Sequence, residues 1–223
     1  MTAPTTTYDA LKNKQNELIR KALEGSIFTA DYSAELPTAL TSGEDAALLE
    51  LPDGYEDTGW VDKGQGATWS RSVDTADVNS WGAAEPTRRD VTSQTTGLQF
   101  TAQETKRRVL ELYEGINLST VVPHTTTGEV TFDQPSRPKR RAFRVFALFV
   151  DGSGADTIYV AKLLPRATVT ETGDQVWSDG DDPVGYECTL TAEYDAEAGT
   201  SIRHFFGGPG WRSLLAEMGF AAP

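Results

Sequence analysis

The 223-residue chain predicts a mainly β protein: a sandwich or barrel-like core with a flanking short α-helix, preceded by an N-terminal helix and a long loop. Three stretches carry that reading. AFRVFALFVD, from Ala142, is apolar on both faces, as a central strand is when layers cover both sides. YECTLTAEYD alternates strictly, with Tyr186, Cys188, Leu190, Ala192 and Tyr194 on one face and Glu187, Thr189, Thr191, Glu193 and Asp195 on the other. Thr58 to Gly115 couples threonine-rich alternating strands to one short helix.

In chain order, DALKNKQNELIRKALE (Asp9 to Glu24) places Leu11, Leu18, Ala22, Ile19 and Leu23 on one stripe with Gly25 behind it, which predicts an amphipathic helix. Phe28 to Asp57 is acidic and interrupted by Pro37, Gly43, Pro52 and Gly54, so it reads as a long loop. Residues 58–62 and 67–73 flank Gly64 and Gly66 as a hairpin, and 88–100 is a further strand. T-A-Q-E at Thr101 to Glu104 has the form of a capping box for a helix that runs to Glu114 and stops at Gly115. Strands follow over 128–133, from Ala142, over IYVAKLLP, and over 166–177 and 184–195. The tail, SIRHFFGGPGWRSLLAEMGF, predicts a strand, a glycine-proline turn and a short helix docked through Trp211, Leu214, Leu215 and Phe220. This divides the chain into 1–57 (helix and acidic loop), 58–206 (β core) and 207–223 (docking segment).

A hydrophobic share of 38%, with five Trp, nine Phe and seven Tyr, suffices for a sizeable core without staples. The lone Cys188 excludes an intramolecular disulfide and suits a reducing compartment. The N-terminus lacks the pattern of an export signal, and no apolar run approaches a membrane span, so the expectation is a soluble protein. The net charge of −13 is segregated: residues 22–62 hold ten acids and residues 167–202 hold nine, with no Lys or Arg in either tract. Against them stands SRPKRRAFR, with Arg137, Lys139, Arg140, Arg141 and Arg144. Such segregation suits solvation, or a surface that meets copies of itself, acidic loop to basic loop. Nucleic-acid binding by so short a basic run is opposed by the field of the whole chain.

Catalytic patterns are missing. His124 and His204 are isolated, and there is no G-x-S-x-G elbow, phosphate loop, H-E-x-x-H or G-x-G-x-x-G. Cys188 lies on the apolar face of its strand as a core residue. Asp179, Asp181 and Asp182 in SDGDDP lack the spacing and the bidentate Glu of a calcium loop and read as a turn. The Trp residues are expected mostly in the core; an exposed aromatic row would instead suit a carbohydrate-binding or adhesin-like sandwich, the alternative reading. No enzyme, metal or cofactor is expected.

Gly59-Trp60, SWGAAEPTRR (Ser80 to Arg89) and ETKR (Glu104 to Arg107), with the block from Asp151 to Pro183 and FFGGPGW (Phe205 to Trp211), resemble the major tail tube proteins of long-tailed, non-contractile bacteriophages that infect actinobacteria. The resemblance implies a structural subunit that forms six-membered rings stacked into a hollow conduit for DNA delivery. Its implied partners are copies of itself, the tape measure protein and the tail tip and terminator proteins. DNA passes without specific binding, no membrane is involved, and the subunit is assembled in the host cytoplasm into the virion tail. On this view Glu187, Thr189, Thr191, Glu193 and Asp195 face the lumen, or else the outer surface of the tube. Contacts between rings then join Glu44, Asp45, Asp53, Glu56 and Asp57 to Arg137, Lys139, Arg140 and Arg141.

Overall fold

The computed structural model describes residues 6–137 and 139–221. Its strands are β1 (Glu24–Asp31), β2 (Thr41–Ser42), β3 (Ala47–Leu48), β4 (Glu56–Asp57), β5 (Thr68–Val78), β6 (Arg88–Ala102), β7 (Ala142–Asp151), β8 (Ile158–Thr172), β9 (Tyr186–Ala192) and β10 (Arg203–Gly207). Three short helices join them: α1 (Tyr8–Leu11), α2 (Arg107–Glu114) and α3 (Pro209–Ser213). The mainly β expectation holds. One eight-stranded sheet runs β4-β1-β7-β8-β9-β6-β5, with β10 also on β8, and β2 and β3 pair separately.

The sheet folds over itself at β8. Leu163 and the residues before it pair with β10, whereas Ala167 and those after it pair with β9, so both partners occupy the same edge in succession. Pro165, which has no N–H for a ladder, sits at this changeover. Opposite it the β7 register slips between Phe143 and Val145, and a second slip falls between Val169 and Glu171. Bulges of this kind bend a strand and sharpen its twist. The fold brings Ile27, Val145 and Leu164 against Leu98, Phe100 and Leu190, and α2 adds Val109 and Leu112 to the same core. A second core lies on the opposite face, where Leu36 and Leu40, with Leu51 and Tyr55, cover Phe146, Ala161 and Leu163. β7 is therefore covered on both sides, as its sequence requires.

Several local expectations are corrected. The N-terminal helix shrinks to the single turn of α1 and a 3₁₀ turn at Asn16–Leu18, because Leu11, Ile19 and Leu23 find no surface to cover and stay 69%, 73% and 63% exposed. Glu24–Asp31, split between that helix and the long loop by its sequence, is a strand, and the loop after it packs as a lid on the second core. Residues 58–62 do not pair with β5; the partner of β5 is β6, while Val61 bridges to Ala102. Residues 128–133 form no strand, and 158–172 is one strand where two were expected.

The capping box is also dissolved. Thr101 is still in β6, with its hydroxyl on Gln65, and Glu104 accepts instead from the Trp60 amide at 2.7 Å. α2 begins only at Arg107, and its end at left-handed Gly115 is as expected. In the tail, α3 is shorter than expected, and Trp211 stacks on Phe206 at 4.9 Å with Phe220 beyond at 6.1 Å. The glycines of FFGGPGW allow close approach: a Cβ on Gly210 would run into the Asp156 carbonyl oxygen.

One buried ion network ties α2 to the sheet. Glu111 is 0% exposed and receives Arg108 at 2.9 Å, Arg107 at 2.9 Å and the Leu118 amide at 2.9 Å. Arg108 continues to Asp31 at 3.0 Å and Glu56 at 2.9 Å, and Arg141 joins Asp31 at 3.0 Å and the Ile116 carbonyl at 2.6 Å. Removing one member of such a pair leaves an uncompensated buried charge. Glu111→Ala is expected to cost about 3–5 kcal/mol of unfolding free energy by urea titration. A loss under about 1 kcal/mol, the range of an exposed pair, would show that α2 is held by its apolar face alone.

Candidate functional site

An open polar face runs across β8, β9, β6 and β5. Register places Thr191 beside Gly97, Thr189 beside Gln99 and Glu187 beside Thr101, and continues from Gly97 to Ser70 and from Gln99 to Thr68. Leu98, Phe100, Cys188 and Leu190 point the other way, into the core. Glu187, Thr189, Thr191 and Glu193 are all half-buried on the polar face. Gln99 donates to Glu187, the Thr170 and Thr191 hydroxyls meet at 3.0 Å, and Glu193 accepts from the Thr168 hydroxyl at 3.0 Å with Arg166 2.9 Å away.

Asp195 does not belong to this face. β9 ends at Ala192, and past it Tyr194 turns out to solvent while Asp195 is 0% exposed. Its carboxylate accepts from the Ala198 amide at 2.7 Å and the Tyr32 hydroxyl at 2.8 Å. Burial alone would raise its pKa, but those two hydrogen bonds and Arg144 outweigh it and hold the group below the usual range.

Beyond Ser70 and Thr95 the β5–β6 hairpin leaves the body as an arm. Most of its residues are exposed on both faces, yet it is well latched: Arg89 grips Asp77 through two bonds of 2.6 and 3.0 Å, Ser93 donates to Asp74 at 2.6 Å and Arg71 to Gln94 at 2.9 Å. At the tip, Ser80 and Thr87 meet at 2.7 Å and Trp81 is 106% exposed.

The charged tracts divide. Arg141 and Glu56 pair within the subunit, in the Glu111 network. Arg144 is buried as well, donating to the Tyr32 carbonyl at 2.8 Å and pairing with Glu197 at 2.7 Å. Arg137, Lys139 and Arg140 stay exposed with no ion pair among the described residues, beside a shallow depression lined by Ile116, Leu118, Val121 and Phe132. Glu44, Asp45 and Asp53 are exposed on the lid, and Asp57 caps the Gly59 amide at 3.0 Å.

Gly59-Trp60 and ETKR, distant in sequence, form one structure. Glu104 takes the Trp60 amide and pairs with Lys106 at 3.0 Å, and Gly59 has φ +89° with Glu104 where a Cβ would be. The result is an indole held 73% exposed. Trp81 and Trp177 are likewise exposed, which corrects the expectation that most Trp would be core. The three indoles sit on separate connections, so no single strand carries them as a row.

Cys188 is 1% exposed, and burial pushes its thiol up to about 12, so it serves as a core residue. His204, facing Lys162 across β10 and β8, is depressed by burial and then by that lysine, and His124 accepts turn amides in an exposed loop. Among the described residues no group of His, Cys, Asp or Glu is placed to hold a metal, and no helix is long and apolar enough to cross a membrane.

A polar sheet face, a projecting arm and segregated charge are the main surface features of this β protein. The model of the family described as phage tail tube protein matches residues 12–202, and the chain belongs to that family. It is thus a structural protein of the phage tail. No curated protein matches the sequence. Among solved structures, the anti-feeding prophage cap, which terminates a tube, aligns over 89% of this chain and 98% of that one, at 8% identity and a TM-score of 0.43.

Glu104 makes the presentation of Trp60 sensitive to acid. Its pKa is lowered, first by the Trp60 amide and then by Lys106. The contribution of a lowered carboxyl is complete above its unfolded value, about 4.3, and is lost as pH falls through the folded one. Trp60 emission, taken as the difference from Trp60→Phe, is therefore expected to stay constant from neutral pH down to about 4.3 and to change below it. Glu104→Gln should lack that step; an unchanged step in Glu104→Gln would assign it to another carboxyl.

Proposed function

We propose that the chain is the repeating subunit of the tail tube of a long-tailed, non-contractile phage of actinobacteria. Subunits close into six-membered rings, the rings stack, and the hollow tube conducts DNA into the host. The observation that carries this reading is the continuous threonine- and glutamate-bearing face of β8, β9, β6 and β5, bounded by β5 as the outermost strand of the sheet. An outermost strand offers unpaired backbone groups to the sheet of a neighbour. Identical head-to-tail contacts close a ring when the rotation permits, and a second such contact along the axis gives an open stack. A wall of hydroxyls with Glu187 and Glu193 passes DNA without holding it, because it offers phosphates few cations. The tape measure, tail tip and terminator proteins are the partners at the ends of such a tube, and assembly takes place in the host cytoplasm.

Negative-stain microscopy of the purified chain over a range of concentrations tests this. Tubes or six-fold rings are expected; monomers at every concentration, with and without a tail initiation complex, would overturn it. Contacts between rings pair the exposed acids of the lid, Glu44, Asp45 and Asp53, with Arg137, Lys139 and Arg140. Single exposed pairs contribute only about 0.2–1 kcal/mol, so repetition around the ring is what makes them effective. Replacing Arg137, Lys139 and Arg140 with Glu should leave a folded subunit that no longer stacks, seen as rings or monomers in place of tubes; normal tubes would remove this contact.

A further inference from the structure

A groove of about 690 Å³ opens between the start of β1, the end of β7, the start of β8 and the turn before β5. Its walls are aromatic: Trp60, Trp69 and Phe149, with Leu23 and Val160 beside them. Lys162 stands within it, its ammonium 4.4 Å from the centre of the Trp69 ring. No carboxylate pairs with Lys162 among the described residues, and desolvation lowers its pKa. Of the acids lining the groove, Asp62 is turned to the Gln65 amide at 2.8 Å, and Glu24 lies at the outer end, where β1 begins. Glu104 and Gly59 fix the backbone at Trp60, on one wall of the groove.

At the arm tip, SWGAAEP (Ser80 to Pro86) carries what this groove lacks: a fully exposed indole at Trp81 and a carboxylate at Glu85 with no ion pair among the described residues. The arm cannot deliver them to its own groove. Ala67 lines that groove at the base of β5, and β5 then runs outward from Thr68 to Val78, roughly 30 Å at about 3.3 Å per residue. The Asp77–Arg89 and Asp74–Ser93 latches hold the arm extended.

We infer that the arm tip of one subunit docks in the Trp60–Trp69–Phe149 groove of a second copy of this chain, with Trp81 as the anchor and Glu85 paired to Lys162. The inference rests on the tube reading, and it adds a specific knob and hole to it. A knob at one end of a stiff hairpin and a hole at the body make a heterologous contact, which repeats from subunit to subunit without self-closing between two copies. Indoles seated in dry pockets are the commonest anchors of protein interfaces. A lysine already stacked on an aromatic ring gains most from a carboxylate that arrives with the same anchor.

Cysteine cross-linking of the full chain tests the contact, since the native Cys188 is buried and silent. Ala67→Cys with Ala84→Cys joins groove to tip and is expected to give, on oxidation of assembled protein, a ladder of covalent dimers, trimers and higher species that neither single variant gives. Ala67→Cys with Ala10→Cys is the control for the rival occupant, the exposed N-terminal segment; a ladder from that pair alone would overturn the inference. Trp81→Ala should raise the concentration needed for assembly about tenfold or more, and Trp81→Phe should recover most of it. Tubes that form normally with Trp81→Ala, together with no ladder from the Ala67→Cys and Ala84→Cys pair, would overturn the docking and leave the tube reading standing. An unmodified chain that never assembles would overturn the tube reading itself.

Discussion

The structure depends on a carboxylate that water does not reach. Glu111 is buried on α2, and its carboxylate is met by Arg107 and Arg108 from its own helix and by the Leu118 amide, with Arg108 extending the network to Asp31 and Glu56. Because a charge in that position is tolerated only with its partners in place, the network sets several positions at once. It places the end of β1, the short β4, the turn after α2 and Arg141 just ahead of β7. These are the elements that must close over the folded sheet for Leu98, Phe100 and Leu112 to share one core.

That closure explains which charges remain for other work. The acid-rich segment from Tyr32 to Tyr55 does not stand off as a loop, because Leu36, Leu40, Leu51 and Tyr55 bury themselves on the second core and leave the acids outside. The basic run is partitioned by the same logic. Arg141 and Arg144 flank Phe143, at the start of β7 where the register slips, and are drawn inward by Asp31, Glu197 and the Tyr32 carbonyl. Arg137, Lys139 and Arg140 precede the strand and stay in water. A sequence shows five basic residues in one short run; only the strand start and the bulge decide which of them are internal.

The parts legible in the sequence are those whose pattern is local. β7, β9, most of β6 and the Gly115 stop follow from periodicity and turn chemistry alone. What escaped was set by partners far along the chain. Glu104 has the spacing of a capping residue, yet the amide it satisfies belongs to Trp60, 44 residues away. Glu24–Asp31 reads as the end of one element and the start of another, because Leu11, Ile19 and Leu23 repeat at helical spacing up to Glu24 and the acidic, proline-broken stretch begins at Phe28. Ile27 and Ala30 are nonetheless pulled into a ladder with β7, where a fully apolar strand needs a neighbour. Asp195 was misplaced by extending a perfect alternation three residues past the point where Tyr32 and the Ala198 amide take over.

The same distinction separates the two faces of the outer strands. Toward the core, Leu98, Phe100, Cys188 and Leu190 are fixed by contacts within one subunit, and their order alone specifies register, since a slip of one residue would bury threonines and expose Phe100. On the open face no core contact within the subunit requires Thr68, Ser70, Thr189 and Thr191 to be so uniformly small and polar. Isolated hydroxyls on a lone sheet need only be soluble, a requirement that lysines and glutamates would meet as well. A stiff arm that ends in a bare indole is likewise a burden for a solitary molecule, because exposed aromatics invite association. Both features cease to be anomalies when the unit of folding is not the unit of function. In the tube proposed above, the arm, the edge strand and the threonine face are the parts left for copies of the chain to complete.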